Sequence, residues 1–180
     1  MFSLSILLPP AIDAALVSWS RRTPGATVDP QASHVTLLNF ETDADEAALL
    51  QRTAIACHDL PPFRLVLDQA IRDAYLGKPG LDIVMLVPSE TSMGHEAVLA
   101  LRQHLLDAFA DLIDVDTTVP EDGEFLPHLT LTSGIPGEQA AELCEEAENL
   151  HIDFEVTSVS AWSNQSGSWR LLQTASLGAA

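Results

Sequence analysis

A four-residue phrase occurs twice in this chain: His34-Val35-Thr36-Leu37, and again His128-Leu129-Thr130-Leu131. Both copies sit among residues that favour strands. In a strand, residues i and i+2 project to one face and their neighbours to the other. His34 and Thr36 therefore share a face, as do His128 and Thr130. Val35, Leu37, Leu129 and Leu131 point the other way, into apolar packing. Each copy thus carries an imidazole and a hydroxyl side by side on a rigid element. A chain that builds this element twice is constrained to place two such strands, and their surroundings decide whether they form one site or two.

The surroundings repeat. The first copy follows a predicted strand, Phe2 to Leu8, the prolines Pro9 and Pro10, and a helix marked by Ile12, Leu16 and Trp19. Pro24 and Gly25 punctuate a loop from Thr23 to Pro30, and the motif strand runs from Ser33 to Phe40. A helix from Asp43 to Cys57 comes next. Asp43 and Glu46 resemble a capping pair, with Ala47, Leu50, Ala54 and Cys57 as the apolar stripe. A strand from Phe63 to Ala70 and a connector from Tyr75 to Gly80 close the first half. The second half repeats the order: a strand from Leu81 to Val87, Pro88, and a helix from Met93 to Ile113 with Val98, Leu101, Leu105 and Phe109 in register. An acidic loop, Asp114 to Glu124, leads to the motif strand Phe125 to Thr132. Then come a helix from Glu138 to Leu150, a strand from Ile152 to Ala161, a turn over Ser163 to Ser168 and a last strand, Trp169 to Leu177. The prediction is an α+β fold: a bilobal, pseudo-twofold duplication of strand-helix-strand-helix-strand units, with antiparallel sheets around a central cleft. One domain spans 1–180, with repeats at about 1–80 and 81–180.

Charge narrows what such a cleft can meet. There are 26 acidic against 8 basic residues, a formal net charge of −18, and Lys78 is the one lysine. Tight binding of long nucleic acid depends on Lys and Arg releasing phosphate counterions, so that partner is not expected. A small phosphate ester is less affected, because exposed charges beyond roughly 8 Å are screened at physiological salt. Cys57 and Cys144 offer neither metal spacing nor a disulfide framework. The apolar start, Met1 to Pro10, has no basic leading segment, and no apolar run approaches the ~18 residues of a membrane span. A soluble, cytoplasmic monomer is expected, with no metal and no cofactor.

Two imidazoles on one cleft make an acid/base pair. Histidine suits both roles because its unperturbed pKa lies near 6.5, and each such proton transfer typically contributes ~10²–10⁴-fold. The Thr36 and Thr130 hydroxyls can donate to phosphate oxygens and hold developing charge. The paired motif resembles the 2H phosphoesterase superfamily, which includes 2′-5′ RNA ligase-like proteins and cyclic phosphodiesterases. The resemblance extends over the leading strand, Phe63 to Asp68, Pro-His-Leu-Thr-Leu at Pro127 to Leu131, and the final hairpin. It implies a metal-independent bilobal fold acting on a 2′,3′-cyclic phosphate or related phosphodiester of a nucleotide or small molecule. His34 and His128 would be general acid and base, and Thr36 and Thr130 phosphate ligands.

Many relatives carry a basic residue soon after the second motif, whereas this chain continues Thr132-Ser133-Gly134. Arg170 and Arg64 are the candidate substitutes, Arg170 being equally suited to anchoring the hairpin. Trp169 and Trp162 either stack on a base or pack the hairpin. Tyr75 lines the cleft or packs on the surface. His58, His95, His104 and His151 have no repeated context and are read as structural or solvated. Two other functions fit the same strands: a module that binds a nucleotide or phosphate ligand without turnover, and RNA end processing or 2′-5′ ligation.

Overall fold

The computed structural model describes residues 1–22, 33–75, 78–113, 115–118, 124–164 and 167–178. The loop expected at 23–30, most of the acidic stretch at 114–124 and the hairpin tip at 165–166 lie outside them. In chain order the elements are β1 (Phe2–Leu7), α1 (Pro10–Ser20), β2 (His34–Glu41), α2 (Glu46–His58), β3 (Phe63–Leu67), β4 (Gln69–Ala74), β5 (Leu81–Val87), α3 (His95–Phe109), β6 (Val115–Asp116), β7 (Leu129–Pro136), α4 (Gly137–Ala147), β8 (Ile152–Val156), β9 (Ser158–Asn164) and β10 (Trp169–Ser176).

The large sheet has the order β10-β9-β1-β2-β7-β5-β4, with β6 beside β2, and β3 and β8 form a separate two-stranded sheet. Every pairing is antiparallel. The order is nearly palindromic about the β2–β7 seam. β1 flanks β2 as β5 flanks β7, and β9 flanks β1 as β4 flanks β5. The helices follow suit: α2 packs on β9 and β10, α4 on β4 and β5. This is the mixed α and β architecture with antiparallel sheets read from the repeat, and the two motif strands are neighbours in a single sheet.

Strand bonding to both sides explains the burial of β1, whose residues Phe2 to Ile6 are all buried although two are serines. The serines are accommodated by bonds: Ser3 Oγ donates to the Leu38 carbonyl at 3.2 Å, and Ser5 Oγ accepts from Trp162 Nε1 at 2.9 Å. Behind this part of the sheet the rings of Phe2, Phe40 and Phe109 meet with centroids 5.5 to 6.2 Å apart, joining β1, β2 and α3 in one core.

Three expectations are corrected. The cap of α2 is Asp45, not Asp43: its carboxylate accepts from the Ala48 N–H at 3.3 Å. With the helix beginning there, the buried stripe is Leu49, Thr53, Ala56 and Cys57, mostly rotated from the predicted one, and Ala47 is exposed. The Thr53 hydroxyl is satisfied within the helix by the Leu49 carbonyl at 2.9 Å. Next, the strand expected from Phe63 to Ala70 breaks at Asp68, and the one from Ile152 to Ala161 breaks at Thr157. In both places the chain leaves the two-stranded sheet and joins the large one, a corner that strands turn by bending. At the first corner the Asp68 carboxylate accepts from Ser89 N–H at 2.9 Å and Ser92 Oγ at 2.6 Å. Last, the second motif strand begins at Leu129 and not at Phe125. The approach to it is held from outside: Arg102 of α3 lies 4.3 Å from the Phe125 ring centroid and donates to Asp116 at 2.6 Å. Among the described residues no helix is long and apolar enough to cross a membrane.

Candidate functional site

The seam between the motif strands has one registered pair, Val35 with Leu129. Antiparallel pairing then sets His34 opposite Thr130 and Thr36 opposite His128. Val35 and Leu129 are buried at 0% and 2% exposure, so the two histidines and two threonines project from the other face. Each histidine stands across from the other copy's threonine. The two histidines are diagonal neighbours, a relation that places them roughly 7–8 Å apart. Four side chains separated by some ninety residues thus form one cluster.

The motif also carries a duplicated irregularity. In the β1–β2 ladder Ser5 pairs with Thr36 and Leu4 with Leu38, so Leu37 is an extra residue. In the β5–β7 ladder Met85 pairs with Thr130 and Val84 with Thr132, so Leu131 is extra. Both bulges fall on the leucine next to the motif threonine. A bulge absorbs one residue and shifts the facing of the residues beyond it. Leu37 and Leu38 are consequently both buried, and Asn39, three residues from Thr36, comes to the same face as the threonine.

Two adjoining hollows open on this face, and His34 and Thr36 line both. One, of about 660 Å³, is also lined by Ser33, Tyr75, His128, Thr130 and Ser133. The other, of about 450 Å³, is lined on its far side by Asn39, Ser5, Trp162 and Trp169. All four motif residues therefore reach one cleft, and Trp169 stands in its extension. Arg170, the next residue of β10, takes the opposite face: it donates to the Glu46 carboxylate at 2.9 Å and lines neither hollow. Arg64 is likewise engaged elsewhere, with Asp153 across the β3–β8 pair. Neither arginine takes the place of the basic residue missing after the second motif. No lysine or arginine is among the described residues that line the two hollows. A cation does approach Tyr75, which lines the larger one: Lys78 Nζ lies 5.0 Å from the centroid of its ring.

His128 has a defined tautomer. Its Nδ1 lies 2.8 Å from the Leu126 carbonyl, and a carbonyl can only accept, so Nδ1 carries the proton. The neutral ring then offers the Nε2 lone pair. Burial pushes the His128 pKa below its ordinary value, and the nearby His34 adds to the depression against the opposing pull of the Leu126 carbonyl. Among the described residues no group of three or more His, Cys, Asp or Glu is placed to hold a metal ion.

Sequence reasoning passed over Asn39 and the serines of β1. The serines were legible: Phe2-Ser3-Leu4-Ser5-Ile6 alternates, which puts two hydroxyls on one face. Asn39 was not, because its facing depends on the bulge.

Comparison with known proteins bears on the family and the fold. Residues 8–168 match the family described as the 2′-5′ RNA ligase superfamily. Among curated proteins none matches the sequence. Among solved structures, TT0787 of Thermus thermophilus superposes with a TM-score of 0.64 at 18% identity, covering 98% of this chain and 97% of that one. LigT of E. coli in its apo form superposes with a TM-score of 0.63 at 20% identity, over 98% of this chain and 96% of its own. The same LigT has been solved in complex with 3′-AMP, where the TM-score is 0.63 at 19% identity over 98% and 96% of the two chains.

Proposed function

The chain belongs to the 2′-5′ RNA ligase superfamily, and on that premise we propose that it is a metal-independent phosphoesterase hydrolysing a 2′,3′-cyclic phosphate or related phosphodiester of a nucleotide or other small molecule. The observation that carries this reading is the register of the seam, which brings both His-x-Thr pairs to one face around Val35 and Leu129. His128, held neutral by burial, takes a proton from the attacking water through Nε2. The water oxygen bonds to phosphorus and one ester P–O bond breaks. His34, entering protonated, gives its proton to the departing sugar oxygen. Thr36 and Thr130 donate to the non-bridging oxygens, where charge is held in the transition state. Both halves, about 1–80 and 81–180, act as one domain, and since both motifs lie on one chain a monomer is sufficient. Small nucleotide ligands suit this cleft. LigT, similar in fold, has been solved with 3′-AMP, with phosphate and with ATP. The superfamily's description also names ligation, which would bring RNA ends to a protein of net charge −18, and we rank it second for that reason.

The test is turnover of a panel of nucleoside 2′,3′-cyclic phosphates. His34→Ala and His128→Ala should each lower kcat by ~10²–10⁴-fold. Near-native turnover by either variant would overturn the assignment.

A further inference from the structure

His128 owes its tautomer to the Leu126 carbonyl, and the β7 ladder does not hold that carbonyl, because β7 begins at Leu129. The Leu126 side chain is 40% exposed and does not anchor it either. Pro127, which is buried, stands between the two residues. A proline fixes its own φ and confines the residue before it to extended backbone. The direction of the Leu126 carbonyl is therefore passed on from Phe125, one residue further back. Phe125 is held from α3: the Arg102 guanidinium carbon lies 4.3 Å from the centroid of its ring, within cation–π range. The same guanidinium donates through Nη2 to Asp116 at 2.6 Å and to Thr118 Oγ1 at 3.3 Å. Asp116 is fixed in turn. Its other carboxylate oxygen accepts from the Thr118 N–H at 2.9 Å, and β6 is registered on β2 at Phe40 and Glu41. One planar group thus ties the entrance of the second motif strand to the strand that carries the first.

Building on the phosphoesterase reading, we infer that Arg102 is a positioning residue for His128: through Phe125 it aims the Leu126 carbonyl, which keeps the proton on Nδ1 and leaves Nε2 free to take one from water. Stability alone is a poor account of this arginine. A buried ion pair adds little net stability, and the Arg102 Nε is buried without a partner among the described residues. What the side chain supplies is geometry, an edge for a carboxylate and a face for a ring, which the ammonium of a lysine does not offer together. The first motif strand is pinned separately and by different chemistry. There Asp13 of α1 accepts from the Ser33 N–H at 2.8 Å, immediately before His34. In each half the helix that precedes the motif strand reaches its entrance, so the two pins can be removed one at a time.

The tautomer is read without substrate, by long-range proton–nitrogen correlation of the histidine rings at pH 7.5, with His128 assigned by its absence from His128→Gln. Wild type should show a protonated Nδ1 and a bare Nε2. Arg102→Met removes the guanidinium, and Phe125→Leu removes the ring while leaving the ion pair intact. Both should give a mixture of tautomers at His128. In both, kcat for a nucleoside 2′,3′-cyclic phosphate should fall on the order of 10- to 100-fold with KM little changed, the mark of a group used only in the transition state. Asp13→Ala, which loosens the other entrance, should leave the His128 tautomer as in wild type. An unchanged tautomer in Phe125→Leu overturns the inference, whatever Arg102→Met does. A mixture in Asp13→Ala also overturns it, because general loosening would then be the cause. If wild type turns over no cyclic phosphate but the tautomer shifts in the two clamp variants alone, the clamp stands and the hydrolytic reading falls.

Discussion

His128 combines a catalytic proposal with a measurable effect on stability. Its carbonyl partner fixes the tautomer, and burial with His34 nearby depresses its pKa. In the unfolded chain the same group titrates near the usual value of about 6.5. Above that pH it is neutral in both states, and its full contribution to stability is present. As the pH falls below it, the unfolded state binds the proton first, so stability declines until the folded-state pKa is passed. One proton corresponds to a limiting slope of about 1.4 kcal/mol per pH unit. Urea midpoints taken between pH 7.5 and pH 5 should fall more in the wild type than in His128→Gln, which has no imidazole to protonate. Parallel losses in the two proteins would show that His128 is not held neutral. At this scale the motif residues were readable, because strand periodicity and the repeat single out His34, Thr36, His128 and Thr130. Arg170 was not, since the residue's neighbour across space, Glu46, is far away in the chain.

Elements are where reading the chain went astray, at strand corners. Phe63 to Ala70 and Ile152 to Ala161 look like single strands because each keeps an apolar alternation, but each serves two sheets. The bend is set by partners: Asp68 is drawn to Ser89 and Ser92, and the sequence around it carries no breaker. A related dependence operates at Gly94, which precedes α3 and has φ +88°. A Cβ there would lie 2.1 Å from the Arg64 carbonyl oxygen and 2.9 Å from the Leu65 Cα. The loop therefore rests directly on β3, where Val66 N–H donates to the Met93 carbonyl at 3.0 Å. Gly94→Ala should cost more than the ~1–2 kcal/mol of a left-handed backbone alone, because backbone must also shift. Equilibrium denaturation measures it, with Gly80→Ala as comparison: its φ is +81° but none of the described residues lies within 4 Å of the added carbon. Equal losses at the two glycines would mean that the loop does not press on β3.

Across the whole molecule, the near-palindromic sheet brings the two halves to one seam, in a chain that is strongly acidic overall. With a net charge of −18, self-repulsion opposes the folded state at low ionic strength. Raising NaCl from 20 to 500 mM shortens the Debye length to a few ångströms, and the thermal midpoint should rise, by about 2–4 °C for each kcal/mol regained. A midpoint that falls would mean that the ion pairs, such as Arg102 with Asp116 at 2.6 Å, outweigh the repulsion. The amino-acid order alone settles the motif, the repeat and the sign of the surface, because periodicity, composition and formal charge are local or additive quantities. It does not settle which face Asn39 takes, where the strands turn their corners, or that Trp162 and Trp169 stand beside His34. Those depend on register and on bulges, which exist only between paired strands, and the pairing joins residues far apart in the chain, as Val35 with Leu129 or Ser3 with Trp162.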